Sequence, residues 1–280
     1  MLREEKPNNL VQTIERVATI FDVMAQSAHG ISLKELSAKV GLPKGTAHRL
    51  LSSLAYFGYV RQASESKNYH LGFKLVELGN LLLDQLDLRA QARPFLIKLS
   101  KKTKETVHLV VLDQNEALYI DKVVSNDKPG GLQMVSRVGL RVPAHCSAVG
   151  KLLIAHLSEK GVNDLILLKG LSQRTRNTIT DPDRLKTHLK IVREQGYAID
   201  NEENEKGIRC VGAPIFDQQG QAIAAISISG PAARITKQLV QNFLKKEVIK
   251  TAQAISRELG YTDTIQTPGI NKNFKKGGEP

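Results

Sequence analysis

Residues 36–54 read LSAKVGLPKGTAHRLLSSL. Leu36 and Val40, with Leu33 before them, mark the apolar side of a short helix that Gly41 stops. Pro43, whose fixed φ suits a first helical turn, opens another. In that helix Ala47, Leu50, Leu51 and Leu54 recur at the three- and four-residue spacing of a buried stripe. The remaining positions make a polar face of Lys44, Gly45, Thr46, His48, Arg49 and Ser52. Two helices joined by a tight turn, the second with a compact basic face, form the pattern of a helix-turn-helix whose second helix enters the major groove of duplex DNA.

The flanks extend the pattern. Upstream, Leu10, Ile14, Val17, Phe21 and Met24 place one apolar stripe on a helix over 10–27. Downstream, Gly58 ends the third helix, and Tyr59–Gln62 and Tyr69–Leu71 flank a polar loop, which predicts a hairpin wing. In such a winged helix-turn-helix Arg49 can read guanine bidentately, and Thr46 and His48 can reach bases or phosphates. Lys44 suits a phosphate contact that sets affinity without specifying sequence, and Arg61 and Lys67 sit on the wing, where backbone or minor groove would lie. The competing reading is a three-helix packing module with a solvated face that serves as a protein-interaction platform. The grouping of Lys44, His48 and Arg49 on one groove-sized face favours DNA.

Composition bounds the rest. The chain has 280 residues, with 40 Lys+Arg against 28 Asp+Glu, a net charge of +12 that points to a polyanionic partner. Residues 1–75 carry +4 of this and the other 205 carry +8, so charge totals alone do not locate the binding face. No apolar run approaches the ~18 residues of a membrane span, and MLREEKPNNL lacks the apolar core of a secretory signal. Two cysteines, Cys146 and Cys210, make neither a disulfide framework nor a four-thiolate zinc site. These features predict a soluble cytoplasmic protein with no membrane partner.

Behind the wing, residues 75–88 are leucine-rich, a helix too apolar to stand alone in water. The pattern then predicts a helix at 89–104, strands at Val107–Leu112 and Leu118–Val124, and helices at 147–157 and 181–195. A hairpin of Ile208–Phe216 with Ala222–Ser229 and a closing helix over 234–259 complete it. Without a regular βαβ rhythm this is an α/β chain of the α+β kind, with an antiparallel sheet.

Two features mark a candidate pocket. In PAHCSAVGK (residues 143–151) the start of an apolar helix offers free N–H groups to a carboxylate. Set against this, Ser147 simply caps the helix, and His145 and Lys151 read as surface residues. In AIAAISIS (residues 222–229) Ser227 and Ser229 share one strand face. A hairpin in which Asp217 pairs with Ala222 would set Cys210 opposite Ser229 and Gly212 opposite Ser227. Asp200, ending the strand-like Tyr197–Asp200, would add an acceptor for a ligand hydroxyl.

With these motifs in order the chain resembles the IclR family of bacterial transcription regulators. The resemblance rests on GLPKGTAHRLLSSLAYFGYV, LGFKLVELG, PAHCSAVGKLLIA, REQGYAIDNEENEKGIRCVGAPIFD and AISISGP, across about residues 10–260. It implies a winged helix-turn-helix over 10–73, a linker helix over 74–88 and a GAF-like effector domain over 89–261. A disordered start at 1–9 and a mobile tail at 262–280 lie outside these. It implies homodimers or homotetramers on a double-stranded operator, no cofactor beyond a small organic-acid effector, and no catalytic residues. The effector carboxylate would bind the Cys146–Ala148 loop, with Asp200, Cys210, Ser227 and Ser229 lining the pocket. Gly45 departs from the family's usual serine. TKETVHL, TRNTIT and the REQGY-to-RC segment look most like the regulator that answers to 2-keto-3-deoxygluconate. A repressor of carbohydrate or sugar-acid catabolism genes is therefore expected, with an activator of the same fold as the alternative.

Two further readings compete. An enzyme would use Cys146 as nucleophile beside His145, but neighbours in sequence rarely face each other and no orienting carboxylate is evident. A metal sensor would gather Cys146, Cys210, His145 and His108 on zinc; core thiols and ordinary histidines are the default.

Overall fold

The computed structural model describes residues 9–84, 87–125 and 136–262, in two compact units that divide between Leu86 and Asp87. The first contains α1 (Gln12–Ala25), α2 (Leu33–Lys39), α3 (Lys44–Tyr56), β1 (Val60–Gln62), β2 (Tyr69–Leu71) and α4 (Lys74–Asp84). Ser32 starts α2 by accepting a hydrogen bond from the Glu35 N–H at 3.2 Å. The turn before α3 is tied by Ser37, whose hydroxyl donates to the Leu42 carbonyl at 2.6 Å. Ile20, Met24, Ile31, Leu36, Leu51, Val60 and Tyr69 close the core beneath.

Two expectations for this unit need correction. The buried stripe of α1 lies later than its spacing predicts: Ile20 and Met24 are buried while Leu10 and Ile14 are exposed, because only the later turns of α1 meet the rest of the core. The leucine-rich helix ends at Asp84, short of residue 88, and the next helix begins at Asp87. None of its described side chains is buried; Leu81 and Leu82 are 51% and 61% exposed. The sequence also gave no sign that Ile31 would pair with Tyr69 and add a third strand segment to the wing.

The second unit contains α5 (Asp87–Thr103), β3 (Thr106–Asp113), β4 (Glu116–Val123), β5 (Arg141–Pro143), α6 (Ala148–Ala155), α7 (Glu159–Lys169), α8 (Pro182–Gln195), β6 (Ala198–Asn201), β7 (Ile208–Phe216), β8 (Ala222–Pro231), α9 (Lys237–Leu239) and α10 (Lys245–Glu258). Its six strands form one antiparallel sheet in the order β5-β4-β3-β8-β7-β6. The chain turns from β3 to β4 through Gln114 and Asn115, both at positive φ, the backbone a two-residue hairpin requires. α5 and α10 pack on one face; α6, with α8 behind it, packs on the other.

Here α7 and β5 were not foreseen, and the single closing helix is interrupted by a wider π turn at Val240–Leu244. The start expected at residues 1–9 and the tail expected at 262–280 lie outside the described residues except for Asn9 and Thr262. Cys210 does pair with Ser229, and Gly212 with Ser227, but Phe216 pairs with Ala222 where Asp217 was expected. A bulge beside Ile215 absorbs the extra residue, so the register at the turn differs while the register at the pocket does not.

Candidate functional site

In the first unit α3 turns Ala47 and Leu51 fully inward. Lys44, Gly45, His48, Arg49 and Ser52 are consequently exposed and Thr46 half-buried. No side chain caps α3, so its first N–H groups are open to a phosphate. A side chain added at Gly45 would meet nothing within 4 Å, so the fold leaves room for one at this face. On the wing Lys67 is exposed at the loop, and the Gln62 amide donates to its carbonyl at 2.9 Å. Arg61 is exposed too, but its guanidinium lies 5.8 Å over the Phe73 ring, an anchor that the sequence did not reveal.

In the second unit a cavity of about 480 Å³ opens between the α6 side of the sheet and the start of α6. Its lining includes Ser147, Ala148, Asp200, Cys210, Ser227 and Ser229. Ser147 caps α6, accepting from the Gly150 N–H at 3.2 Å and donating to the Pro143 carbonyl at 3.2 Å. Ala148 and Val149, the next two residues, face the cavity from the first turn, where N–H groups lack intrahelical acceptors. Capping and ligand binding are therefore compatible at this turn. Gly150 permits it, since a Cβ there would lie 2.4 Å from the Ala144 carbonyl oxygen. Gly212 likewise lets α6 close on the sheet, because a Cβ there would come within 3.0 Å of Leu152 Cδ1 on α6.

The Lys151 side chain is wholly buried. Its Nζ donates to Glu203 Oε1 and Oε2 at 2.6 and 2.7 Å and to the Ile199 carbonyl at 2.7 Å. Asp200 folds the same loop by accepting from the Glu203 and Asn204 N–H groups at 2.7 and 3.3 Å. Thr175 and Thr178 hydroxyls hold the Glu202 and Glu203 carbonyls at 2.6 and 2.7 Å. On the sheet, the Ser227 and Ser229 hydroxyls lie 3.2 Å apart.

The expected positions of Cys146, His145 and Lys151 are corrected. Cys146 is fully buried but is not part of the cavity lining; its thiol meets the Pro143 carbonyl and Asn204 Oδ1 at 3.8 and 3.7 Å. Burial, with the Asp200 and Glu203 charges, pushes that thiol up to about 12, so it is no nucleophile. His145 is buried, and its Nε2 meets the Ser172 carbonyl at 3.1 Å, in a separate hollow of about 110 Å³. The Cys146–His145 pair thus lacks the geometry of nucleophile and base. Among the described residues no three His, Cys, Asp or Glu side chains gather as metal ligands.

Two family descriptions match this chain. Bacterial transcriptional regulator IclR C-terminal covers residues 80–257, and IclR helix-turn-helix domain covers residues 13–64. The chain belongs to the IclR family. This IclR-family chain is 37% identical over 254 residues to the HTH-type transcriptional regulator XynR of Escherichia coli, covering 90% of this chain and 98% of XynR. It is also 37% identical over 259 residues to E. coli KdgR, covering 92% and 97%. The crystal structure of Thermotoga maritima IclR superposes with a TM-score of 0.72 at 36% identity, covering 89% of this chain and 99% of that one. These relatives are transcriptional regulators, not enzymes, and the IclR-family chain is a DNA-binding transcriptional regulator. Among its described residues no helix is long and apolar enough to cross a membrane.

Sequence reasoning missed other lining residues of the IclR-family cavity: His108, Tyr119, Arg141, Arg174, Asn204 and Glu205. His108 lies in TKETVHL and Arg174 beside TRNTIT; the sequence reading considers His108 only as a zinc ligand and gives Arg174 no role. Arg141 donates to the Asp113 carbonyl and carboxylate, and Glu116 accepts from Lys169 at 3.1 Å, so these charges are engaged locally.

Burial raises the Asp200 carboxyl to about 7 from its usual 3.8, against the opposing pull of the Glu203 N–H and Lys151. The folded chain therefore binds this proton more tightly than the unfolded chain. The stability it contributes is fully present below about 4 and is lost as pH rises to about 7. Asp200→Asn is expected to remove that loss. In calorimetric melts the variant's Tm advantage should widen from pH 4 to pH 7 and stay level above, and a constant difference would refute the assignment.

Proposed function

We propose that this regulator is a repressor, released from its operator when a small carboxylate with hydroxyl groups enters the cavity. The observation that carries the reading is that the Ala148–Val149 helix start and the paired Ser227–Ser229 hydroxyls line one cavity. The helix start suits a carboxylate; the serines, Cys210 and Asp200 suit the polar remainder of the ligand. Arg174, which also lines the cavity, adds positive charge. A six-carbon sugar acid such as 2-keto-3-deoxygluconate has this chemistry, and the regulated genes would then serve sugar-acid catabolism in the cytoplasm. The exposed apolar residues of α4, with Tyr56, Phe57 and Phe73, support assembly through a second copy as a homodimer or homotetramer. Two reading heads would then address a two-fold operator.

Effector binding shifts the DNA equilibrium only by its differential affinity for the bound and free arrangements. Gel-shift titration of the full chain on its own upstream region, with and without 2-keto-3-deoxygluconate, tests the reading. The expected result is a shifted complex that dissociates as the acid is added. A complex that tightens instead would favour activation, and indifference to every acid tried would reject effector control. Ser229→Ala should leave effector-free DNA affinity unchanged and raise the half-maximal acid concentration about 3- to 10-fold, as expected for one lost hydrogen bond.

A further inference from the structure

Beside Ser227 on the cavity floor stands a group that neither the helix start nor the serines account for. β3 sets His108 directly opposite Ser227 of β8 and Lys122 of β4, and His108 lines the cavity while being only 1% exposed. One ring nitrogen, Nε2, lies 2.9 Å from Ser136 Oγ. The other, Nδ1, is buried without a hydrogen-bond partner among the described residues. The ring is packed edge-to-face against Tyr119, another residue of the cavity wall, with centroids 4.9 Å apart. An orphaned buried polar atom carries its full desolvation penalty. Keeping one in the wall of a ligand cavity is sensible where the ligand supplies the missing partner.

The chemistry of that partner follows from the charge of the ring. Burial, reinforced by the Lys122 ammonium, lowers the imidazole to about 3, so it is neutral at physiological pH. A neutral ring is no counter-ion for a carboxylate. With one nitrogen donating and the other accepting, it matches a hydroxyl or a carbonyl oxygen. The acid end of a ligand would go to the start of α6, leaving His108 for an oxygen on the carbon chain.

We infer that His108 is a specificity-determining residue that reads a hydroxyl on the carbon chain of the effector, and so selects hydroxylated acids over short or apolar ones. This rests on the effector reading above and adds a residue and a discrimination to it. A site built to hydrogen-bond an oxygen rejects analogues that lack it, because its own polar atom is then left unpaired.

Isothermal titration of the full chain with 2-keto-3-deoxygluconate, D-gluconate and pyruvate tests the assignment. Wild type is expected to bind at least one six-carbon acid about tenfold or more tighter than pyruvate. His108→Leu should reduce that preference to about threefold or less while leaving pyruvate affinity unchanged, which also shows that the variant folds. His108→Asn, which can return a hydrogen-bonding group near the Nδ1 position, should keep most of the preference. If wild type binds pyruvate as tightly as the six-carbon acids, or His108→Leu weakens all acids equally or none, the role of His108 is overturned and the effector cavity stands. If no acid binds wild type, the effector reading falls, and the His108 assignment with it.

Discussion

Lys151→Met is expected to destabilise the second unit by about 3–5 kcal/mol, the range for breaking a buried ion pair from one side. The ammonium is wholly buried and donates to both Glu203 carboxylate oxygens and to the Ile199 carbonyl. Methionine fills a similar volume but leaves the Glu203 charge in the interior with little beyond the Asn201 N–H at 3.3 Å. Much of the loss is therefore the cost of an unpaired charge, and Lys151→Met combined with Glu203→Gln should recover part of it. Urea denaturation of the three variants measures this. A loss below 1 kcal/mol for the single change, or no recovery in the double, would refute the argument. Because Glu203 belongs to the loop folded around Asp200, the single variant should also bind acids more weakly.

Arg49→Ala is expected to weaken operator binding by roughly 30- to 10⁴-fold. A bidentate arginine–guanine contact is worth about 1–3 kcal/mol, and a two-fold complex loses it twice, which makes about 2–6 kcal/mol. Arg49 is exposed on the outer face of α3, so the change should leave the thermal melt and the acid response of the second unit intact. Lys44→Ala provides the contrast. It should lower affinity alike for operator and unrelated DNA and reduce the salt slope by about one, the signature of a phosphate contact. Fluorescence anisotropy at several salt concentrations separates the two. Equal losses of operator-specific affinity in both variants would remove Arg49 from base reading.

Local signals carried the first unit. The turn at residues 41–43 and the three-four spacing of Ala47, Leu50, Leu51 and Leu54 depend on neighbours in sequence, and α3 follows them. The first turns of α1 did not follow, because exposure of Leu10 and Ile14 is decided by which tertiary partners exist. In the second unit, period-two alternation put Ser227 and Ser229 on one face, but Cys210 meets Ser229 only because the bulge beside Ile215 offsets the mistaken turn register. The cavity wall was less legible. Lys151 meets Glu203 across 52 residues of chain, and Thr175 reaches the Glu202 carbonyl across 27; no local pattern encodes either. Cys146 showed the opposite failure, since adjacency to Ser147 in sequence did not put its thiol in the cavity.

The close approach at Gly150 and Gly212 divides the cavity into a fixed ceiling and an adjustable floor. A Cβ at Gly150 would strike the Ala144 carbonyl and one at Gly212 would crowd Leu152 of α6, so α6 is held close to its own leading loop and to the sheet. Mutation can scarcely retune the amide groups that hang from it. Any drift in ligand preference must then come from side chains at His108, Ser227, Ser229 and the Arg174 rim. A directed-evolution library aimed at a new inducer should be built there, with the helix start left untouched.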